Sequence, residues 1–135
     1  MEASIFTKIV NGEIPAYKIA EDERYLAFLD VFPTTKGHTL VIPKQQVDYL
    51  FDLEDELYLG LMAFAKKVAS ALEKAVPCKR IGVAVVGLEV PHAHVHLIPI
   101  NSMKDMNFAN KQEFSKQEFE EVLEKIKTAY TAYTT

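Results

Sequence analysis

The sequence of 135 residues predicts one α+β domain, residues 1–135, built on a largely antiparallel sheet. Two observations carry this prediction. Five short segments rich in apolar and β-branched residues are joined mostly by short turns, which favours antiparallel neighbours. Between the third and the fourth segment, residues 53–76 carry apolar side chains at the spacing of an amphipathic helix. The chain is long enough to bury a proper hydrophobic core.

The N-terminal part is predicted to contain a short helix and three strands. Ser4 is the expected cap of a helix over Ile5–Asn11, because a serine hydroxyl can accept a free N–H of the first turn. Gly12 is expected to end this helix. The three strands are predicted over Tyr17–Ala20, Tyr25–Leu29 and His38–Ile42, where β-branched and apolar residues lie between turn residues.

Two longer helices are predicted further along the chain. Asp52 is the expected N-cap of the helix over residues 53–76, and Pro77 closes it. Ser115 and Glu118 have the spacing of a capping box, which starts a last helix that is expected to run to about Tyr130. The apolar stripe of the first of these helices consists of Leu57, Leu61, Phe64, Val68 and Leu72.

The fourth and fifth strands are predicted between these two helices. Ile81–Val86 is apolar throughout, which favours a largely buried strand, and Gly87 breaks it. The fifth strand is predicted over His92–Ile100, and it contains three of the four histidines. The predicted order is therefore α-β-β-β-α-β-β-α.

Composition and charge exclude several classes of protein. The net charge is −4, so the chain lacks the basic surface that non-specific nucleic-acid binding needs. One cysteine, Cys78, excludes an internal disulfide framework and fits a reducing compartment. No secretory signal and no apolar run long enough to span a membrane are visible. These features predict a cytoplasmic protein without nucleic-acid or membrane partners.

The histidines are the most informative residues of the sequence. His38 opens the third predicted strand, and His92, His94 and His96 alternate in the fifth. Alternate residues of a strand share a face, so the three imidazoles are expected on one side of the sheet. The other side of the strand would then present Ala93, Val95 and Leu97.

Three interpretations of this run are open. A metal site is one, but neighbours on one strand face lie about 6.5–7 Å apart, so three in line do not easily converge on one ion. Structural histidines that hydrogen-bond at the sheet surface are the second. The third is nucleophilic catalysis, in which one imidazole attacks phosphorus or a carbonyl while its neighbours bind oxygens or protonate a leaving group.

The segment His92–Ile98 resembles the signature of the histidine triad (HIT) superfamily of nucleotide hydrolases and transferases, His-φ-His-φ-His-φ-φ with φ apolar, at every position. Residues 4–15, 26–31 and 37–44 resemble earlier blocks of that family, in the same order. The resemblance covers residues 4–100 and leaves 101–135 as a C-terminal extension with a helix. It is closest to the histidine triad nucleotide-binding branch, of the prokaryotic type.

The resemblance implies a fold and a mechanism. Family members are homodimers in which two five-stranded antiparallel sheets, each with two main helices, join into one sheet of ten strands. The central histidine, here His94, is the expected nucleophile and forms a covalent nucleotidyl intermediate, with no metal and no cofactor. His92 and His96 are expected to bind phosphate oxygens, and His38 to support them from the adjoining strand.

The resemblance also implies a nucleotide pocket. Asp30 is expected to hold the ribose hydroxyls, with a turn carboxylate as the alternative. Four apolar residues are expected around the base, with plain core packing as the alternative: Phe6, Ile9, Phe28 and Val31. The expected function is that of a purine nucleoside phosphoramidase that releases a nucleoside monophosphate. A dinucleoside polyphosphate hydrolase and a weakly active nucleotide-binding regulatory module are the alternatives.

One segment departs from the family pattern. Many members carry Gly-Gln-x-Val before the histidines, often with a hydroxyl at x, and these side chains contact phosphate and leaving group. This chain has Gly87, Leu88 and Glu89 there, which we expect at the nucleotide site. A carboxylate repels phosphate, so Glu89 disfavours a highly anionic leaving group such as a long polyphosphate.

Two further positions bear on the site. Some members bind structural zinc through an N-terminal Cys-x-x-Cys, and this chain has Ser4 and Thr7 there, so that zinc is not expected. The C-terminal segment of the family often reaches the active site and tunes specificity. The segment Met103–Phe108 is the candidate for that contact.

Overall fold

A computed structural model describes residues 2–134, and it confirms the predicted α+β class. The five strands form one sheet in the order β1-β2-β3-β5-β4, in which every neighbouring pair is antiparallel. The elements are α1 (Ile5–Val10), β1 (Lys18–Glu21), β2 (Tyr25–Leu29), β3 (Thr39–Pro43), α2 (Asp55–Ala75), β4 (Arg80–Ala84), β5 (Val95–Ile100) and α3 (Lys116–Thr134). Short 3-10 helices cover Leu50–Asp52 and Met103–Met106.

Two of the predicted helix caps are present. The Ser4 hydroxyl accepts the N–H of Thr7 at 3.0 Å, which fixes the start of α1. At α3, the N–H of Glu118 donates to Ser115 Oγ at 3.1 Å, and the N–H of Ser115 donates to Glu118 Oε1 at 3.0 Å. These reciprocal bonds make the capping box predicted from the sequence.

The predicted cap of α2 is wrong. Asp52 lies in the preceding 3-10 helix, and α2 begins only at Asp55. The cap position belongs to Glu54, whose side chain makes no capping hydrogen bond. The short 3-10 helix places Leu50 in the core, and α2 starts two residues later than predicted.

The two faces of the sheet are covered by different helices. α2 and α3 pack on one face, where Leu61, Val68 and Ile126 are fully buried in one apolar cluster that also contains Val41 of β3 and Val95 of β5. The short helix α1 covers the other face and brings a second apolar cluster there, formed by Phe6, Ile9, Leu26, Phe28, Leu40 and Ile42. The central strands β2 and β3 are buried along their whole length, because both of their faces are covered.

The fourth strand differs from its prediction. It spans Arg80–Ala84 instead of Ile81–Val86, and it is an edge strand that is half exposed rather than buried. Val83 is 54% exposed, and Val86 lies in the loop beyond. Apart from Arg80 at its start, this edge strand is apolar, which is unusual for an edge on the surface of a single chain.

The fifth strand begins at Val95, so His92 and His94 precede it rather than lie within it. Before Val95 the backbone does not continue the pairing with a neighbouring strand. The N–H of Ala93 donates instead to the carbonyl oxygen of Val47, which lies in a loop, at 2.7 Å. The predicted alternation still holds: the core on the α2 side contains Ala93, Val95 and Leu97. Within residues 2–134, no helix is both long and apolar enough to cross a bilayer.

Candidate active site

A cavity of about 560 Å³ lies on the face of the sheet that α1 covers, and its volume suits a small-molecule ligand. Residues of α1, the end of β2, the loop before β5 and the C-terminal extension line it. Ten of the twelve predicted site residues are among them: Phe6, Ile9, Phe28, Asp30, Val31, Gly87, Leu88, Glu89, His94 and His96. The two outside the lining are His38 and His92.

His94 has one ring nitrogen committed to the backbone. Its Nδ1 lies 2.7 Å from the carbonyl oxygen of His92. A carbonyl oxygen only accepts, so Nδ1 carries the hydrogen and the neutral ring has its lone pair on Nε2. The ring lines the cavity although the residue is only 7% exposed. This arrangement gives an oriented imidazole whose free nitrogen can act as a nucleophile.

Two successive hydrogen bonds, which start at a backbone N–H, fix the tautomer of His96. The N–H of Thr34 donates to His38 Nδ1 at 3.0 Å, which leaves the His38 hydrogen on Nε2. That nitrogen lies 2.9 Å from His96 Nδ1 and donates to it. His96 therefore carries its own hydrogen on Nε2 and can donate it to a ligand oxygen or to a leaving group.

Burial keeps this pair neutral. The pKa of His38 falls to about 3, chiefly because burial disfavours the charged ring, and nearby Lys111 lowers it further. The pKa of His96 also falls to about 3, again first through burial and then through His38 and His94. The contact of 3.6 Å between His38 Nε2 and Asp30 Oδ2 is consequently no ion pair at neutral pH.

His92 does not fit the role implied by the family resemblance. It is fully buried, and both ring nitrogens are used by the protein: Nε2 donates to the Pro43 carbonyl oxygen at 2.7 Å, and Nδ1 accepts from Ser4 Oγ at 2.8 Å. A ring with both nitrogens occupied has nothing to offer a phosphate oxygen. Its backbone carbonyl oxygen accepts the hydrogen of His94 Nδ1 and so orients the His94 ring.

A hydrogen-bonded cluster ties α1 to His92. Besides its bond to His92, Ser4 donates its backbone N–H to Gln46 Oε1 at 2.8 Å. The Thr7 hydroxyl donates to the same oxygen at 2.7 Å. Ser4 and Thr7 are the positions at which some family members carry zinc-binding cysteines, and here their hydroxyls hold α1 against the histidine segment.

The predicted base pocket is also part of the core. Phe6 and Phe28 are buried, with ring centroids 5.5 Å apart, and they belong to the cluster under α1. The Phe6 ring also stands edge-on to His94 at 5.0 Å. Core packing and lining of the cavity are therefore compatible, since one side of this cluster faces the cavity. Val31, which is half exposed, lies at the rim.

Asp30 and the three residues Gly87, Leu88 and Glu89 line the rim of the cavity. Asp30 Oδ1 accepts the N–H of Phe32 at 2.8 Å, so this carboxylate does brace a turn while it lines the cavity. Gly87 has φ of 74°, a left-handed conformation that favours glycine. Leu88 is 88% exposed, and Glu89 is exposed beside it.

The C-terminal extension reaches the cavity, as the family resemblance suggested. Phe108 lines it and packs edge-on against His96 at 4.7 Å between ring centroids. Met103, at the other end of the predicted segment, is exposed instead. Lys111 also lines the cavity. No local signal pointed to it, because residues 101–115 follow neither helical nor strand periodicity.

One group within residues 2–134 could offer three donor atoms to a metal ion. Asp30, His38 and His96 have such atoms within 4.8 Å of one another. The tautomers oppose ligation, because His38 could use Nε2 only with its hydrogen on Nδ1. That hydrogen would then face the N–H of Thr34, whose nitrogen lies 3.0 Å from Nδ1. The residues therefore fit a hydrogen-bond relay and do not fit a metal site.

The fold and the spacing of the histidines are those expected of a histidine triad protein, and the sequence comparison agrees. The profile of the HIT domain matches residues 11–103, which is most of the chain. The chain therefore belongs to the HIT domain family, as its resemblance predicted.

The chain is similar to proteins with and without an assigned activity. It is 36% identical over 127 residues to an uncharacterised HIT-like protein of Borreliella burgdorferi, across 87% of this chain and 91% of that protein. It is 40% identical over 98 residues to an adenosine 5′-monophosphoramidase of Saccharomyces cerevisiae, across 72% and 62%. A zinc-bound histidine triad family protein from Mycobacterium smegmatis has a similar structure, with a TM-score of 0.84 and 29% identity over 98% and 96% of the chains.

Proposed function

We propose that the protein is a purine nucleoside phosphoramidase, which releases a nucleoside monophosphate through a nucleotidyl intermediate on His94. The observation that carries this proposal is the tautomer of His94, whose Nδ1–H is held by the His92 carbonyl oxygen at 2.7 Å. The other nitrogen is thereby left as a nucleophile at the cavity. The similarity to a yeast adenosine 5′-monophosphoramidase supports the same reaction.

The reaction follows in two balanced steps. His94 Nε2 attacks the α-phosphorus, the bond from phosphorus to the leaving nitrogen breaks, and the departing amine takes a proton from solvent. The positive charge that develops on the His94 ring is stabilised by the hydrogen bond from Nδ1 to the His92 carbonyl oxygen. Water then attacks phosphorus, the bond to Nε2 breaks, a proton returns to solvent and the nucleoside monophosphate leaves. His96 Nε2–H donates a hydrogen bond to a phosphate oxygen throughout.

The charge of the cavity favours this substrate class over the alternatives. Asp30 and Glu89 both line it, and their carboxylates repel additional phosphates. An amine leaving group adds no negative charge, whereas the leaving group of a dinucleoside polyphosphate adds several. Asp30 is placed at the end of β2 beside the apolar wall of Phe6 and Phe28, which supports a nucleoside with its base on the wall and its ribose near Asp30.

The proposed function predicts a specificity ratio. We expect kcat/KM for adenosine 5′-phosphoramidate to exceed that for diadenosine tetraphosphate by about fivefold, since one unfavourable charge contact at a partly exposed site costs about 1 kcal/mol. Release of adenosine monophosphate from each compound measures it. A ratio that is reversed would favour the polyphosphate hydrolase. Tight binding of the nucleotide without release from either compound would favour the regulatory module.

We also propose that two copies pair through β4 into one sheet of ten strands. β4 is an edge strand with exposed apolar side chains, among them Val83 and the neighbouring Val85 and Val86. Leu59 of α2 is 64% exposed as well. A second copy would cover this apolar surface. Such pairing would account for the apolar composition of β4, which is typical of a buried strand.

A charge at the centre of this edge is expected to separate the copies. Val83→Glu would bury an unpaired carboxylate in the pair, so we expect the dissociation constant of the dimer to rise about 100-fold or more. Sedimentation or light scattering over a range of protein concentrations measures it. Thr128→Glu, on the exposed side of α3, is the matched control and should leave the mass unchanged. A wild-type protein that stays monomeric at high concentration would contradict the pairing.

A further inference from the structure

Lys111 is the one cationic side chain among the described residues that line the cavity. Both His38 and His96 are neutral at neutral pH, because their pKa values lie at about 3. Among the residues of the described chain that line the cavity, the charged ones are Asp30, Glu89 and Lys111. Without Lys111 the lining would present two negative charges to a phosphate group. A phosphate in such a site needs a compensating cation.

Ring contacts trace a path from the apolar wall to Lys111. The Phe6 ring lies 5.0 Å from His94, and His94 lies 4.9 Å from His96. The Phe108 ring follows at 4.7 Å from His96, and Lys111 Nζ lies 5.5 Å from the centre of that ring. The contacts thus lead from the apolar wall through His94, His96 and Phe108 to the ammonium, which comes next to the His96 end of this series.

The segment that carries Lys111 is fixed to the domain. The N–H of Gln112, the next residue, donates to the Pro33 carbonyl oxygen at 2.8 Å. Before Lys111, the N–H of Asn110 donates to the Asn107 carbonyl oxygen at 2.9 Å. The ammonium over the Phe108 face adds a cation–π contact. The bond to Pro33 therefore anchors the segment next to Lys111, and the local bond between Asn110 and Asn107 shapes the turn before it.

We propose that Lys111 binds the α-phosphate of the nucleotide, beside the donor nitrogen of His96. This inference rests on the proposed nucleotide-binding function and adds a residue from the C-terminal extension to the histidine machinery. The apolar wall takes the nucleoside, His94 faces the phosphorus, and Lys111 supplies the positive charge that the neutral histidines do not. A lysine ammonium on a flexible stem suits a phosphate as a point charge.

The test removes the charge of the lysine and the charge of the ligand separately. We expect Lys111→Met to weaken the binding of adenosine monophosphate about five- to tenfold, since one charge-assisted hydrogen bond at an exposed position is lost. The binding of adenosine should change less than twofold. Titration calorimetry on the full chain measures both ligands, and Lys111→Arg should restore most of the affinity for the nucleotide.

Lys127→Met is the matched control, because Lys127 is an exposed lysine of α3 outside the cavity lining and its loss changes the net charge equally. It should leave both affinities unchanged. Equal weakening of adenosine and adenosine monophosphate by Lys111→Met would show a packing role on Phe108 and overturn the proposal. An unchanged affinity for the nucleotide would overturn it too.

The measurement separates this inference from the proposed hydrolysis, because it needs no turnover. A protein that binds adenosine monophosphate through Lys111 but releases none from a phosphoramidate contradicts the hydrolase alone. A protein that cleaves the phosphoramidate with equal kcat/KM before and after Lys111→Met contradicts Lys111 alone. Raising the ionic strength should weaken nucleotide binding by the wild type more than by Lys111→Met, because salt screens an exposed charge pair.

Discussion

Replacing His94 by asparagine is expected to lower the kcat for adenosine 5′-phosphoramidate by about 10⁴-fold or more, the scale of loss when a covalent nucleophile is removed. The asparagine amide can still donate to the His92 carbonyl oxygen, which His94 Nδ1 reaches at 2.7 Å. The backbone there is consequently expected to keep its shape. The variant lacks the second ring nitrogen, which is the atom that would attack phosphorus.

The intermediate gives an independent measurement. Wild-type protein quenched during turnover should show the mass of a nucleotidyl adduct, and His94→Asn should not. His96→Asn is the matched control, because it removes the neighbouring ring and leaves the nucleophile in place. It should still form the adduct, about 100-fold more slowly, since it loses one hydrogen-bond donor to the phosphate. Turnover of His94→Asn at the wild-type rate would refute the assignment of the nucleophile.

The assignment of His94 as the nucleophile depends on the different hydrogen bonds that the four histidines make. The carbonyl oxygen of His92 accepts a hydrogen bond from His94 Nδ1. His38 Nε2 donates to His96 Nδ1 and thereby fixes the tautomer of His96. Each of the two rings that line the cavity is therefore oriented by a buried histidine that does not line it. This arrangement explains why two of the four histidines lie outside the cavity lining although all four are buried.

Local signals in the sequence predicted much of this arrangement. The capping box of Ser115 and Glu118 depends only on residues three apart, and it is present as predicted. Ala93, Val95 and Leu97 face the core because alternate positions of an extended chain must point to opposite sides, whether or not a ladder forms.

Contacts between distant residues were not predictable in the same way. The bond from Ser4 to His92 Nδ1 joins residues 88 positions apart. Together with the bond from His92 Nε2 to Pro43, it occupies both ring nitrogens of a histidine for which the resemblance implied phosphate binding. Lys111 reaches the cavity through a segment without periodicity, anchored by a bond to Pro33. The start of β5 was misplaced because the N–H of Ala93 bonds to Val47 instead of a neighbouring strand.

The same burial that fixes the tautomers is expected to make the protein sensitive to acid. His38 and His96 have pKa values of about 3 in the folded chain, first because burial disfavours their charged forms. In the unfolded chain an ordinary histidine has a pKa of about 6.5. Below pH 6.5 these two histidines bind protons in the unfolded chain and stay neutral in the folded chain until the pH approaches 3. Stability is therefore complete above pH 6.5 and is lost as the pH falls towards 3.

We expect the free energy of unfolding to fall by about 3 kcal/mol between pH 6.5 and pH 5, from these two groups together. His92, whose pKa is also lowered by burial, adds to the loss. Urea unfolding at half-unit steps of pH measures it, and the slope gives the number of protons taken up. Ordinary carboxylates titrate near pH 4, below this window. The pI of about 5.6 keeps the net charge small, so general repulsion does not account for the loss. A free energy of unfolding that stays constant from pH 6.5 to pH 5 would mean that the histidine pair is not held neutral, and the relay from Thr34 through His38 to His96 would then be wrong.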